Sequence, residues 1–188
     1  NMIFYQGGAA AERVFGVIDT KVNIKEMNNL PNLKINRANI EFKNVSFTYP
    51  NTKEDAVKNV NILVDGGSTA ALVGHSGAGK STIINLLPRF YDPGDGAIYI
   101  DGQNINGITL SSLRKNISLV SQDIILFDDT VRANVAYAKL DASEEQIKKA
   151  CKYAAADDFI NNLPQSYDTI IGENGIRLSG GQKQRISI

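Results

Sequence analysis

Cysteine, histidine and tryptophan are almost missing from these 188 residues, which contain one cysteine, one histidine and no tryptophan. The single cysteine, Cys151, excludes an intramolecular disulfide. Together with the one histidine, His75, it also excludes a cysteine–histidine zinc cluster. The composition therefore fits a protein of a reducing compartment.

An excess of charge of either sign is missing too, because 20 Lys and Arg residues balance 20 Asp and Glu residues. We therefore predict no nucleic-acid partner, since a wide polyanion-binding face needs a basic surplus. The sequence has no signal peptide and no run of 18 or more apolar residues, so no segment is predicted to span a membrane. The chain begins with Asn1 rather than methionine, which favours a piece of a longer protein.

The first part of the chain differs in pattern from the rest. In residues 1–20, Ala10, Val14, Val17 and Ile18 recur at helical spacing and predict an amphipathic helix. Residues 21–38 are polar and rich in asparagine, which is typical of a linker. Two interpretations stay open for this part: a disordered terminus, or a connection from a preceding domain.

From Ile40 the pattern becomes that of β-strands. Apolar and polar residues alternate over 40–42 and again over 45–47 in the opposite phase, which predicts a bulge between them. Further strands are predicted at Val57–Val64, Thr69–Val73, Ala97–Ile100 and Ile117–Val120. The segments 69–73 and 117–120 are short and almost wholly apolar, as expected of strands buried on both faces of a sheet.

After Gln122 the pattern is mostly helical. Ser143 and Gln146 have the spacing of a capping box at a helix start. The residues Ile147, Ala150, Cys151 and Ala154 then fall on one helical face. Cys151 is accordingly predicted to be a small core residue rather than a nucleophile.

The strongest motif is Gly74-His75-Ser76-Gly77-Ala78-Gly79-Lys80-Ser81, followed by Thr82. It matches the phosphate-loop pattern, with a predicted buried strand before it and a predicted helix, Lys80–Arg89, after it. Its glycines let the backbone direct successive N–H groups at phosphate oxygens. Lys80 supplies a positive charge to the β- and γ-phosphates, and the Ser81 hydroxyl suits Mg²⁺.

A second motif, Leu178-Ser179-Gly180-Gly181-Gln182, opens a predicted helix over 182–188. Two glycines after a serine at a helix start predict a second anion-binding helix terminus. The two starts could serve one nucleotide together or two nucleotides separately. An Asn-Lys-x-Asp guanine-reading motif is missing from the sequence, which argues against a GTPase.

Together these motifs resemble the nucleotide-binding domain of ABC transporters over roughly residues 40–188. The resemblance implies an α/β fold: a P-loop ATPase core with an antiparallel β subdomain and a helical subdomain, truncated before the Walker B strand. Gly74–Ser81 is similar to the Walker A loop and Leu178–Gln182 to the family signature. Gln122 is similar to the Q-loop glutamine, and Tyr49 to the aromatic residue that stacks on adenine.

Further segments are similar to the exporter class, most closely to bacterial lipid and multidrug exporters of the MsbA type. These segments are Arg89–Pro93, Asp128–Asn134 and Asp168–Gly175. Residues 172–175 would fall in the x-loop, and residues 9–15 resemble the cytoplasmic end of the last transmembrane helix. The implied organisation is a transmembrane-helix extension at 1–20, a linker at 21–38, an ATP-binding core at 39–122 and a helical subdomain at 123–188.

The resemblance also implies the roles of individual residues. Lys80 and Gln122 would be catalytic, and Ser81 and Gln122 would hold Mg²⁺. In one subunit, the residues that contact ATP would be Tyr49, Gly74, Ser76, Gly77, Ala78, Gly79, Lys80, Ser81 and Thr82. In the second subunit, they would be Ser179, Gly180, Gly181 and Gln182.

The implied partners are a second nucleotide-binding domain, as a homodimer, and a transmembrane domain upstream of residue 1. The implied place is the cytoplasmic face of the bacterial inner membrane, where ATP hydrolysis would drive export of a lipid or hydrophobic substrate. Two alternatives stay open: a non-membrane ABC ATPase of DNA repair or translation, and a nucleotide-sensing module without turnover.

The family pattern stops a few residues into the signature helix, at Ile188. The Walker B aspartate and the catalytic glutamate of the family cannot be assigned. The acidic segment Ile124–Asp129 precedes the signature rather than following it, and Asp101 is predicted to be a turn acid because Gly102 follows it. We therefore expect these 188 residues alone to hydrolyse ATP poorly or not at all.

Overall fold

The computed structural model describes residues 2–19, 24, 29–173 and 176–188. Within the first helix, solvent exposure is described for residue 8 and for residues 11–18. The chain divides into two compact units, Asn1–Ile117 and Ser118–Ile188. Each unit has its own hydrophobic core. No helix in the described ranges is both long and apolar enough to cross a membrane.

The first unit is built on a four-stranded antiparallel sheet of order β2-β1-β3-β4. Its strands are β1 Ile40–Thr48, β2 Asp55–Val64, β3 Asp95–Ile100 and β4 Gln103–Asn104. Its helices are α1 Met2–Ile18, α2 Lys80–Leu86 and α3 Leu110–Lys115, with a 3₁₀ turn at Ile105–Gly107. The core consists mainly of Phe42, Val45, Phe47, Val57, Leu86, Ile98, Ile100, Ile105 and Leu113.

The bulge predicted in β1 is confirmed. The register with β2 and with β3 shifts after Phe42 and Lys43, respectively. An extra residue there lets Phe42 and Val45 both be buried although their spacing is odd. The two opposite phases of apolar–polar alternation, over 40–42 and 45–47, therefore belong to one strand with a single buried face.

Two predicted strands are wrong. Segments 69–73 and 117–120 have no strand structure, and Val73 is 89% exposed. Leu119 and Val120 are 40% and 39% exposed. A strand forms only where a neighbouring strand takes up its backbone hydrogen bonds, and within the described residues no strand pairs with either segment.

The helix predicted over 80–89 ends early, at Leu86. Pro88 has no N–H to continue the helix, and Arg89 adopts a left-handed backbone with φ of +53°. The Arg89 side chain is buried and pairs with Asp92 through both of its carboxylate oxygens, at 2.8 and 3.1 Å. The exporter-like segment 89–93 is therefore a tight corner closed by an ion pair.

The segment before β1 is bound to the first unit by the Asp101 carboxylate. This carboxylate accepts hydrogen bonds of 2.7–3.0 Å from the N–H groups of Asn36, Arg37, Ala38 and Asn39. These bonds lower the pKa of Asp101 from 3.8 to about 2. Asp101 is thus a turn acid, as predicted, and its carboxylate holds the last residues of the predicted linker. Residues 21–23 and 25–28 of that linker, and residue 20 before it, lie outside the described residues.

The second unit is mainly helical, as predicted after Gln122. Its helices are α4 Val131–Ala136, α5 Glu144–Tyr153, α6 Asp157–Asn161 and α7 Gly180–Ser187, with a 3₁₀ turn at Ser166–Asp168. A short antiparallel pair joins β5 Asp129–Thr130 to β6 Ile170–Ile171. The core consists mainly of Val131, Ile147, Cys151, Ala156, Ile160, Tyr167, Ile171, Leu178 and Ile186.

The predicted apolar face of α5 is confirmed in part. Ile147 and Cys151 are buried and Ala154 is half-buried, but Ala150 is exposed. The capping box of Ser143 and Gln146 is present with both reciprocal hydrogen bonds.

Candidate nucleotide-binding residues

The phosphate loop, residues 74–79, leads directly into α2 in the first unit. Gly79 is the N-cap of α2, with φ of +82°, and it is buried. A Cβ atom at this position would lie 2.5 Å from the Ala56 carbonyl oxygen and 2.6 Å from Val57 Cγ1. Only glycine satisfies both the backbone angle and the space, so β2 fixes where the loop ends and the helix begins.

Lys80 is enclosed by the loop that precedes it. Its Nζ atom donates hydrogen bonds to the carbonyl oxygens of Gly74, at 2.9 Å, and His75, at 2.6 Å. Two of the three ammonium donors therefore bind the loop's own carbonyls. This places a positive charge at the mouth of the loop, where an anion could compete for it.

The two hydroxyl residues after Lys80 differ in environment. Ser81 is exposed, whereas Thr82 is 5% exposed and its hydroxyl lies 3.1 Å from the Tyr49 hydroxyl. The Tyr49 ring packs edge-on against Phe47 and Tyr91, with centroids 4.9 and 5.2 Å away. Tyr49 is thereby held beside α2, and no motif or spacing in the sequence predicts its bond to Thr82.

Gln122 belongs to the second unit, in an exposed stretch without strand structure. Next to it the Ser121 hydroxyl donates to the Asp123 carbonyl oxygen at 2.7 Å. Gln122 therefore does not follow a strand, although a strand was predicted over Ile117–Val120 just before it. The roles of Gln122 in catalysis and Mg²⁺ binding stay predictions. Within the described residues there is no group of three His, Cys, Asp or Glu side chains able to hold a metal ion.

The signature segment forms the start of α7 in the second unit. Ser179 is the N-cap, and its hydroxyl oxygen accepts a hydrogen bond from the Gln182 N–H at 3.3 Å. In return Gln182 Oε1 accepts from the Ser179 N–H at 2.9 Å. Sequence reasoning missed this second capping box, although Ser-x-x-Gln at a helix start is the same signal that identified the box at Ser143.

The acidic segment Ile124–Asp129, which has the composition of a Walker B strand, does not form one. Residues 124–127 have no strand structure, and Asp128 and Asp129 are exposed. Asp129 begins the two-residue strand β5 instead. Glu173 and Asp123 are exposed as well. Residues 174 and 175 of the predicted x-loop lie outside the described residues.

Comparisons with known proteins agree with these motifs. The chain is 50% identical over 189 residues to the ATP-dependent lipid A-core flippase of Legionella pneumophila strain Paris, and covers 32% of that protein. It is 47% identical over 191 residues to the flippase of the same name from Salmonella typhimurium strain LT2, again covering 32% of it. In both cases all of this chain is matched, so it spans about a third of the length of these relatives.

A solved structure of a bacterial Atm1-family ABC exporter with ATP bound matches with a TM-score of 0.88 and 45% sequence identity. The match covers 97% of this chain and 32% of that one. The resemblance stated from the motifs is therefore confirmed, and so is the ABC ATPase fold. Residues 57–188 match the family model described as ABC transporter, and the chain belongs to that family.

Proposed function

We propose that the chain is the ATP-binding part of a bacterial exporter, in which binding and hydrolysis of ATP drive export of a lipid or another hydrophobic substrate. The observation that carries the proposal is the enclosure of Lys80 by the loop carbonyls of Gly74 and His75. A phosphate anion is a stronger acceptor for an ammonium group than a neutral carbonyl. ATP would therefore take over these hydrogen bonds.

The residues around the loop supply the other contacts that ATP requires. Residues 74–82 would hold the phosphates, and the exposed Ser81 hydroxyl would be a ligand of Mg²⁺. Mg²⁺ would neutralise charge on the phosphates during transfer to water. The Tyr49 ring, fixed by Phe47 and Tyr91, would stack on the adenine.

The second phosphate-binding start, at Ser179, belongs to the other unit. In the proposed exporter it would face ATP held by a second copy of this domain, so that two copies enclose two nucleotides. The transmembrane domain would lie upstream of residue 1 in the same protein, and this domain on the cytoplasmic face of the inner membrane. The relatives named above support this arrangement, because they are flippases of three times the length.

The proposal is tested with the full-length protein in proteoliposomes. We expect Mg²⁺-dependent ATPase activity that is stimulated by the exported lipid, and transfer of that lipid between leaflets only with ATP. Lys80→Ala should weaken ATP binding about 10- to 100-fold, since a charge-assisted hydrogen bond contributes roughly 1.5–3 kcal/mol. Calorimetry measures this affinity directly.

Lys58→Ala is the matched control, because Lys58 is an exposed lysine of β2 in the same unit. Its ATP affinity should equal that of the wild type. Unchanged affinity in Lys80→Ala would contradict the phosphate loop assignment. ATPase activity without any lipid transfer would contradict the export function while leaving the ATP site intact.

A further inference from the structure

The start of α7 uses its backbone donors unequally. The first four N–H groups of a helix, from the N-cap onwards, have no partner within the helix. Here these are the N–H groups of Ser179, Gly180, Gly181 and Gln182. The capping box uses the first and the last of them, because Gln182 Oε1 binds the Ser179 N–H and the Ser179 hydroxyl binds the Gln182 N–H. The box leaves the two glycine N–H groups to external acceptors.

The capping box also determines whether the Ser179 hydroxyl acts as a hydrogen-bond donor or acceptor towards other groups. Its oxygen accepts the Gln182 N–H at 3.3 Å, so its own hydrogen is available to donate elsewhere. The serine O–H and the two glycine N–H groups are then all donors. Three donors and no competing acceptor suit a phosphate oxygen.

The side chain of Gln182 is folded back onto its own helix start. Its carbonyl oxygen lies 2.9 Å from the Ser179 nitrogen. We propose that Gln182 is a positioning residue: it acts on the nucleotide through Ser179, by fixing the helix start and the direction of the Ser179 hydroxyl. This inference rests on the proposed function, because it assigns a role within the same ATP site.

A matched control exists in the same unit. Gln146 makes the same two reciprocal bonds with Ser143 at the start of α5, at 3.1 and 3.3 Å. Between these two residues stand Glu144 and Glu145 rather than glycines. Gln146→Ala and Gln182→Ala therefore remove the same cap from two helices, and only one of those helices carries the proposed phosphate donors.

The experiment measures ATPase kinetics and helix protection in the full-length protein. Each of the two variants should speed amide hydrogen exchange at its own helix start. Gln182→Ala should also lower kcat about tenfold, since a loosened donor set fits the transition state poorly, with KM for ATP changed less than about twofold. Gln146→Ala should leave both kinetic constants unchanged. Gln182→Glu, which retains an acceptor for the Ser179 N–H, should restore the exchange protection.

Ser179→Ala completes the test as one side of a double-mutant cycle. If Gln182 acts through Ser179, the kcat of the double variant should be close to that of Ser179→Ala alone. Losses that multiply, or a KM that rises more than kcat falls, would overturn the inference and indicate direct contact. Unchanged kcat in Gln182→Ala would overturn it as well. A wild-type protein without Mg²⁺-dependent ATPase would instead contradict the proposed function itself.

Discussion

The helices α5 and α7 begin with the same four-residue frame, a serine and a glutamine that cap each other, yet the residues inside the frame are opposite in character. The hydroxyl-to-amide distance is 3.3 Å in both boxes, and the returning bond is 3.1 Å in α5 and 2.9 Å in α7. The frame of α5 holds Glu144 and Glu145, whereas that of α7 holds Gly180 and Gly181.

The two helix starts show which residues determine whether a helix start can bind an anion. The carboxylates of α5 complement the positive end of the helix themselves, and Glu144 also pairs with Lys148 at 2.9 Å. At α7 a Cβ atom added to either glycine would meet nothing within 4 Å, so the backbone is open to a ligand. Capping explains the stability of both helices; the glycines alone make one of them suitable for an anion.

The largest effect is expected when α7 is given the interior of α5. Gly180→Glu combined with Gly181→Glu keeps the capping box but places two carboxylates where phosphate would bind. In the full-length protein we expect ATPase activity to fall about 100-fold or more, because like charges repel and the donors are covered. The melting temperature should not fall, since glutamate is the better helix former. Steady-state kinetics and calorimetric melting measure the two quantities.

The reciprocal exchange is its control. Glu144→Gly combined with Glu145→Gly should lower the free energy of unfolding by about 2 kcal/mol, since each glycine costs roughly 1 kcal/mol in a helix. ATPase activity should be retained. Lost activity in this variant, or retained activity in the α7 variant, would contradict the claim that only the start of α7 takes part in ATP hydrolysis.

A second expectation concerns what the two helices share. Ile147 of α5 and Ile186 of α7 are buried in the same core, with 5% and 7% exposure. Ile147→Ala and Ile186→Ala should each destabilise the protein by about 2–5 kcal/mol, the usual cost of such a cavity. Denaturant unfolding followed by a probe in the second unit measures it. A much smaller loss for Ile186→Ala would mean that α7 is held by its cap rather than by its core contact.

The sequence was sufficient for features that depend on local chemistry. The helix start at Lys80, the capping box at Ser143 and the bulge in β1 were predicted correctly. These features involve neighbours close along the chain, whose residue types fix the conformation. The apolar patterns also predicted the antiparallel strands β1 and β2, because these two strands follow each other in the chain and pair with each other. The phosphate-binding roles of Lys80 and Ser179 stay predictions.

Features that depend on distant partners were not predictable in this way. The segments 69–73 and 117–120 have the composition of buried strands. Local composition, however, does not predict whether another strand lies beside them to accept their backbone hydrogen bonds. The bond of Tyr49 to Thr82 and the clamp of Asp101 on residues 36–39 join positions 33 and more than 60 residues apart. No spacing rule encodes such pairs.

A third expectation contrasts the neutral hydroxyl caps with the charged clamp of Asp101. Because the pKa of Asp101 in the folded protein is about 2, below 3.8, its stabilising effect is present at higher pH and is lost as the pH falls from about 4 through 2. The hydroxyl caps of α5 and α7 do not titrate. Carbon-13 NMR of labelled aspartate should find the Asp101 carboxyl titrating near pH 2.

Removal of the charge tests the same clamp at neutral pH. Asp101→Asn should speed tryptic cleavage after Arg37, because an amide group cannot accept four N–H bonds as a carboxylate does. Asp95→Asn, at the other end of β3, is the control and should cleave as the wild type does. Equal rates in the two variants would mean that the clamp does not hold this segment.

The smallest expected effect uses Cys151 of α5 as a reporter of that helix. Its side chain is 2% exposed and burial raises the pKa of the thiol, so it should react slowly with a disulfide reagent at pH 8. Reaction then requires local opening of α5. Gln146→Ala should speed it about fivefold, which corresponds to the roughly 1 kcal/mol that a cap contributes. Gln182→Ala should speed it less, because it loosens a different helix start; equal acceleration would mean that α5 and α7 open together and that their caps are not independent.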